Sequence, residues 1–186
     1  MQETSIIISG FGGQGTLFAG QLLTYAALDY DKHCTWIPSY GPEMRGGTAH
    51  CTVIISDEEI GSPLVRYPSA VIAMNLPSLD KYETKVKPGG FLIANSSLIN
   101  RVIKPEEFTA LFIPGNEIAE ELGNSRITNM VMLGALLQVM PVIPMDVLKA
   151  ALKDHMPERN KKYLPLNFEA LDAGGKFAAE HMKAAV

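Results

Sequence analysis

Along the first two thirds of the chain, short apolar runs alternate with longer stretches in which apolar residues recur at helical spacing. That is the pattern of strands alternating with helices. Ile6-Ile7-Ile8-Ser9 reads as a buried β-branched strand, and Leu17, Phe18, Leu22 and Ala26 mark a helix from Gln14 to about Tyr30. Cys34 to Ile37 is a second strand, stopped by Pro38, which cannot donate to a ladder. Beyond a long loop, Ala49 to Ser56 forms a third strand, with Cys51, Val53 and Ile55 on one face and His50, Thr52 and Ile54 on the other. Asp57-Glu58-Glu59 is a turn. Ala70 to Met74 is a fourth strand, followed by a short helix over Leu76 to Glu83, the turn Lys87-Pro88-Gly89-Gly90 and the strand Phe91 to Ala94. Ala110 to Ile113 is a further strand, and Pro114-Gly115-Asn116 opens a helix through Leu122.

The last third is helical. Ile127 to Met140 is apolar nearly all round and must be covered on several sides, either as a central core helix or against another subunit. Pro144 to His155 is amphipathic, with Pro144 suited to a helix start. Leu166 to Met182 is helical, with a break or kink expected at Gly174-Gly175. This order predicts an α/β domain of Rossmann-like type, with a mostly parallel sheet and a helical C-terminal third. A direct return from the second strand to the third would make the sheet mixed. The length of 186 residues suits one well-buried domain, and no repeat or linker divides it, so 1–186 reads as a single domain.

The first strand runs straight into Gly10-Phe11-Gly12-Gly13-Gln14-Gly15, in which Gly10, Gly12 and Gly15 fit G-x-G-x-x-G ahead of a helix. Glycines let a backbone approach a phosphate closely, and the helix N-terminus offers unpaired N–H groups. The competing reading is that Gly12 and Gly15 only allow tight strand–helix packing. An NAD domain also wants an acidic residue at the end of its second strand. Here that strand ends Trp36-Ile37-Pro38-Ser39-Tyr40, with Asp29 and Asp31 at its wrong end, which disfavours NAD. The following loop carries Ser39, Tyr40, Gly41, Glu43, Arg45, Gly46 and Gly47 where ligands bind in open α/β sheets. Arg45 suits a 2′-phosphate of NADP or the 3′-phosphate of coenzyme A. A local Glu43–Arg45 ion pair in a structured turn is the plainer reading.

Composition narrows the chemistry. A net charge of −4 with no long basic block argues against nucleic acid. The two cysteines, Cys34 and Cys51, lack C-x-x-C spacing, so this chain holds no cysteine-ligated cluster or structural zinc, and they read as buried thiols of a cytosolic protein. An N-terminus that enters a strand within a few residues leaves no room for a signal peptide, and no apolar run reaches membrane-spanning length. A cytoplasmic protein away from membranes is expected. His33, His50, His155 and His181 are scattered, and His50 and Cys51 face opposite sides of a strand, so no catalytic set emerges. No G-x-S-x-G, H-E-x-x-H or P-loop pattern occurs, and no metal-ligand set. Arg159-Asn160-Lys161-Lys162 reads as a solvated turn.

Five segments occur together: Gly10 to Gly15, Ser39 to Gly47, Val53-Ile54-Ile55-Ser56-Asp57, Lys87-Pro88-Gly89-Gly90 and Asn129-Met130-Val131-Met132-Leu133-Gly134-Ala135. In this the chain resembles, over nearly its whole length, the gamma subunit of 2-oxoacid:ferredoxin (acceptor) oxidoreductases, nearest to the ketoisovalerate and 2-oxoglutarate types. The resemblance implies a three-layer α/β/α sandwich, a single pyruvate/ketoisovalerate oxidoreductase gamma-type domain associated with the coenzyme A side of the reaction. It implies alpha, beta and delta-type partner subunits that hold thiamine diphosphate and iron–sulfur clusters, and ferredoxin as the acceptor of the complex. No cofactor is then bound tightly by this chain alone, with coenzyme A as its candidate ligand. Gly10 to Gly15 would face coenzyme A phosphates or the alpha subunit, and Ser39 to Gly47 would line the shared interface. Two other readings of the turn are a stand-alone NADP-binding reductase and a nucleotide sensor without turnover.

Overall fold

The structure, a computed structural model, describes residues 3–39, 48–101, 103 and 105–182. Six strands form one sheet in the order β2-β3-β1-β4-β5-β6, where β1 is Thr4–Phe11, β2 His33–Ser39, β3 Thr48–Ser56, β4 Ala70–Ala73, β5 Phe91–Asn95 and β6 Thr109–Ile113. β1, β4, β5 and β6 pair in parallel, whereas β3 runs antiparallel to both β1 and β2. The sheet is therefore mixed, through the return of β3 against β2. β2 extends past the expected stop: Pro38 lies within it, opposite Cys51. An edge strand tolerates proline because half of its N–H groups point away from the sheet.

Alternation sorts the strands into two faces. Ile6 and Ile8 of β1, Cys51, Val53 and Ile55 of β3, and Ile72 of β4 join one large core. Ile93 of β5, Leu111 and Ile113 of β6 and the helices α1 (Thr16–Asp29), α3 (Gly115–Glu121), α4 (Thr128–Val139), α5 (Met145–His155) and α6 (Leu164–Met182) supply most of the rest. The opposite face carries a smaller core of Ile7, Val71, Ala73, Leu92 and Ala94. Among the described residues the short helix α2 (Leu76–Tyr82) and the side chains of Val86, Ile99, Ile103 and Phe108 close that side. The third layer is thin, and its cluster has no member from β2 or β3.

α4 resolves the choice posed by its all-round apolarity. Every residue from Thr128 to Leu137 is buried within this one chain, between the sheet and α6. α6 is one unbroken helix of 19 residues, so Gly174-Gly175 does not end it. Gly174 instead faces the backbone of α4, where an added Cβ would lie 2.7 Å from the carbonyl carbon of Val131. Gly134 of α4 stands in the reciprocal position, with a Cβ 2.8 Å from the carbonyl carbon of Leu171. These glycines let two helices touch backbone to backbone, and that contact outweighs the local helix penalty of glycine.

Candidate functional site

β1 delivers the chain to the carboxyl edge of the sheet at Phe11, and α1 carries it away from Thr16. The four residues between them form a turn closed twice by Gln14. The Gln14 N–H donates to the Phe11 carbonyl at 3.2 Å, and the Phe11 N–H donates to Gln14 Oε1 at 2.6 Å. Gly13 (φ 94°) and Gly15 (φ 73°) occupy the left-handed region that disfavours a side chain. Around Gly13 nothing lies within 4 Å of a would-be Cβ, whereas at Gly15 one would meet Asn129 Nδ2 at 2.5 Å. Gly10 is the tight-packing glycine, its Cβ position 2.8 Å from Met74 Cβ and 2.9 Å from Thr16 Cγ2. Of the two glycines in the packing reading, Gly15 is crowded, as is Gly10, while Gly13 is open.

Among the described residues no side chain caps the N-terminus of α1. Its first-turn N–H groups lack intrahelical partners and sit at the positive end of the helix dipole. They border a hollow of about 220 Å³ lined by Phe11, Gly12, Gly13, Gly15 and Thr16, with Phe18 at its far side. Phe18 also bounds a second hollow of about 390 Å³ that includes Asn124, Arg126, Asn160 and Tyr163. Among the described residues no titratable side chain lines the first hollow. Backbone N–H groups at a helix start are the kind of donor that an anion accepts.

A row of carboxamides braces this edge. Asn75 donates to Gln14 Oε1 at 3.0 Å, while its own Oδ1 accepts from the Ser78 N–H at 3.0 Å and caps α2. Asn95, fully buried at the end of β5, donates to the Met74 carbonyl at 3.2 Å and to Asn116 Oδ1 at 3.0 Å. It also accepts from the Gly115 N–H at 3.1 Å. Asn129 of α4 donates to the Gly15 carbonyl at 3.1 Å, fixing the turn from the other side. A neutral, saturated network of this kind holds a backbone rigid without adding charge. Sequence reasoning missed all four asparagines. Only Asn75 carried a local signal, standing just before Leu76-Pro77 as a helix cap does.

Of the residues singled out from sequence, Gly10, Phe11, Gly12, Gly13, Gln14 and Gly15 lie together at this turn. Ser39 ends β2 opposite His50, which in turn lies opposite Ser9, so it reaches the same edge two strands away. Tyr40, Gly41, Glu43, Arg45, Gly46 and Gly47 lie outside the described residues. His50 and Cys51 sit on opposite faces: the His50 ring lies against Tyr82, and the Cys51 thiol donates to the Thr16 carbonyl at 3.4 Å. No group of three or more His, Cys, Asp or Glu able to hold a metal forms among the described residues. None of the described helices is long and apolar enough to cross a membrane.

Burial pushes the Cys51 thiol from 9.0 up to about 11. A raised folded-state pKa means that the fold favours the protonated thiol. That contribution is intact below pH 9 and is lost as pH rises through about 11. Tyr82, pushed up to about 12 chiefly by burial, acts with the same sign. Urea midpoints are expected to fall on raising the pH across this window, and to fall less in Cys51→Ala. At pH 8 iodoacetamide should label the half-buried Cys34 and leave Cys51 unmodified until denaturant is added.

A mixed sheet with parallel strands at its centre, a glycine turn at its carboxyl edge and helices massed on one face together define an open α/β domain. The chain belongs to the pyruvate ferredoxin/flavodoxin oxidoreductase family, which it matches over residues 5–177. It is 35% identical over 183 residues to the ketoisovalerate oxidoreductase subunit VorA of Methanothermobacter marburgensis, covering 98% of this chain. The chain spans 38% of the length of that relative. The gamma subunit of a keto/oxoacid ferredoxin oxidoreductase from Geobacter sulfurreducens PCA superposes with a TM-score of 0.82 at 31% identity, over 95% of this chain and 99% of that one. The 2-oxoglutarate:ferredoxin oxidoreductase of Magnetococcus marinus, solved with 2-oxoglutarate, coenzyme A and succinyl-CoA bound, gives a TM-score of 0.86 at 26% identity. That match covers 97% of this chain and 32% of the larger one.

Proposed function

We propose that this chain is the gamma component of a multi-subunit 2-oxoacid:ferredoxin oxidoreductase. The complex oxidatively decarboxylates 2-oxoglutarate or a branched-chain 2-oxoacid, joins the acyl group to coenzyme A, and passes the electrons to ferredoxin. Thiamine diphosphate and the iron–sulfur clusters belong to alpha, beta and delta-type partners, and the assembly works in the cytoplasm. This chain, a single domain over 1–186, contributes coenzyme A binding and assembly. Coenzyme A supplies the thiol that accepts the acyl group, and the uncapped turn Gly12 to Thr16 fits one of its phosphates. Ser39 and the loop that follows it form the other side of this contact or meet a neighbouring subunit. The observation that supports the reading is the match to a gamma subunit over 95% of this chain and 99% of that one, in a chain whose glycine-turn hollow holds, among the described residues, backbone groups and no titratable side chain.

The test is reconstitution with thiamine-diphosphate- and cluster-binding chains from the same source. The complex should reduce ferredoxin in a coenzyme A-dependent way with 2-oxoglutarate or 2-oxoisovalerate, and omitting this chain should return the rate to background. A chain that never joins such partners, or one that binds NADPH tightly by itself, would overturn the proposal.

A further inference from the structure

The face of the sheet turned away from α1 is only partly covered. α2 and the smaller core close it over β1 and β4 to β6; on β3 Ile54 is buried, but among the described residues no side chain of β2 or β3 belongs to that core. Thr52 and His50 of β3 therefore floor an open cleft of about 690 Å³. One wall is the irregular segment that carries Leu64, Arg66 and Tyr67, and the other holds Tyr82, Thr84 and Lys85.

Two features set this cleft apart from ordinary surface. The first is charge. In a chain of net charge −4, Lys32, Arg101, Lys149 and Lys161 each meet a carboxylate. Lys87, Arg126, Lys153, Arg159, Lys162 and Lys176 make no ion pair among the described residues, and neither do Arg66, Lys81 and Lys85. What distinguishes the cleft is that its described lining brings Arg66 and Lys85 together with no carboxylate. The Lys81 and Lys85 ammonium groups instead crowd one ring, 5.1 and 5.4 Å from the centre of Tyr82. Burial, and then the neighbouring charge of Lys85, lowers the Lys81 pKa. Like charges gathered in a concave site focus a positive potential that an anion relieves.

The second feature is the rim. Leu64 is 86% exposed, Tyr67 55% and Ile37, opposite Thr52 in the sheet, 40%. Single exposed apolar side chains need no explanation, but several beside one basic cleft have the composition of an interface, where aromatics and arginine anchor binding. A free inorganic anion would use the cations and leave this rim wet. An extended peptide segment with carboxylates uses both.

We propose that the cleft between Arg66 and Lys85 docks a carboxylate-bearing segment of one of the partner subunits, with apolar side chains of that segment seated on Leu64 and Tyr67. This rests on the gamma-subunit reading and adds to it a second surface, on the face of the sheet opposite α1 and the glycine-turn hollow. One contact then serves assembly while the other stays available to coenzyme A.

The experiment measures association of this chain with the reconstituted partner chains at low and high salt. Wild type is compared with the Arg66→Glu/Lys85→Glu variant and with Lys176→Glu on the far side, as a control of equal sign. Charge reversal in the cleft should raise Kd at least about tenfold at low salt and flatten its salt dependence. Lys176→Glu should leave both unchanged. Arg66→Gln/Lys85→Gln, which removes charge without adding repulsion, should give a smaller loss in the same direction at unchanged thermal stability. Equal association of wild type and both cleft variants would overturn the docking surface alone. Failure of wild type to associate at all would overturn the gamma-subunit reading together with it.

Discussion

Gly174→Ala is expected to lower the stability of the chain by about 3 kcal/mol, at the upper end for overpacking a close contact. The obstacle to the new Cβ is the Val131 carbonyl of α4, with its carbon 2.7 Å away. A side chain at that distance could rotate aside; a carbonyl held in the hydrogen bonds of its own helix cannot. α4 and α6 must therefore separate until the contact becomes an ordinary one, and every buried pair between them loosens. The gain in helix propensity from glycine to alanine, about 1 kcal/mol, offsets only part of this. Gly134→Ala should cost a similar amount through the Leu171 carbonyl. The double variant should cost less than the sum, because one separation accommodates both methyl groups. For a domain of this size about 3 kcal/mol corresponds to a fall in melting temperature of about 6–12 °C. Gly61→Ala, with nothing within 4 Å of its Cβ position, serves as the neutral control. A urea midpoint for Gly174→Ala within error of wild type would show that the helices do not meet in this way.

That pair of glycines also marks where sequence reasoning reached its limit. Ile6 to Ser9, the alternation of Cys51, Val53 and Ile55, and the glycine turn were legible because each is a local pattern with a local cause. Gly174 was misread because propensity weighs only a residue's own helix, while the deciding contact comes from α4, distant in sequence. Pro38 was misread for a related reason: whether a missing N–H matters depends on whether the strand has a neighbour on that side, and β2 is an edge. At the site, the motif pointed to the right turn but not to what holds it in shape. Asn75 meets Gln14 across 61 residues, and Asn129 meets Gly15 across 114. An asparagine in sequence signals a turn or cap and carries no address for its partner. α4 was ambiguous because an apolar helix looks the same whether its cover is α6 or a neighbouring subunit.

Gly13→Val should raise the KM for coenzyme A in the reconstituted complex by about 10- to 100-fold, while kcat at saturating coenzyme A stays near wild type. The factor corresponds to losing one or two hydrogen bonds to a charged group, at about 1.5–3 kcal/mol. Gly13 is chosen because its Cβ direction is empty and its place is on the wall of the 220 Å³ hollow at the start of α1. A Cβ there has no described atom within 4 Å, and the side chain would stand where the phosphate approaches. Its φ of 94° makes any side chain strained, by about 1–3 kcal/mol. Gly13→Ala carries much of the same strain with less bulk, and so separates obstruction from backbone distortion. KM should rise in the order wild type, alanine, valine if obstruction dominates. Retained kcat is expected because, among the described residues, no titratable side chain lines the hollow. If the KM for coenzyme A is unmoved while assembly with the partner chains weakens, the turn contacts a subunit instead. If neither changes and only stability falls, the glycines serve packing, and the anion-binding N-terminus of α1 has no part in the reaction.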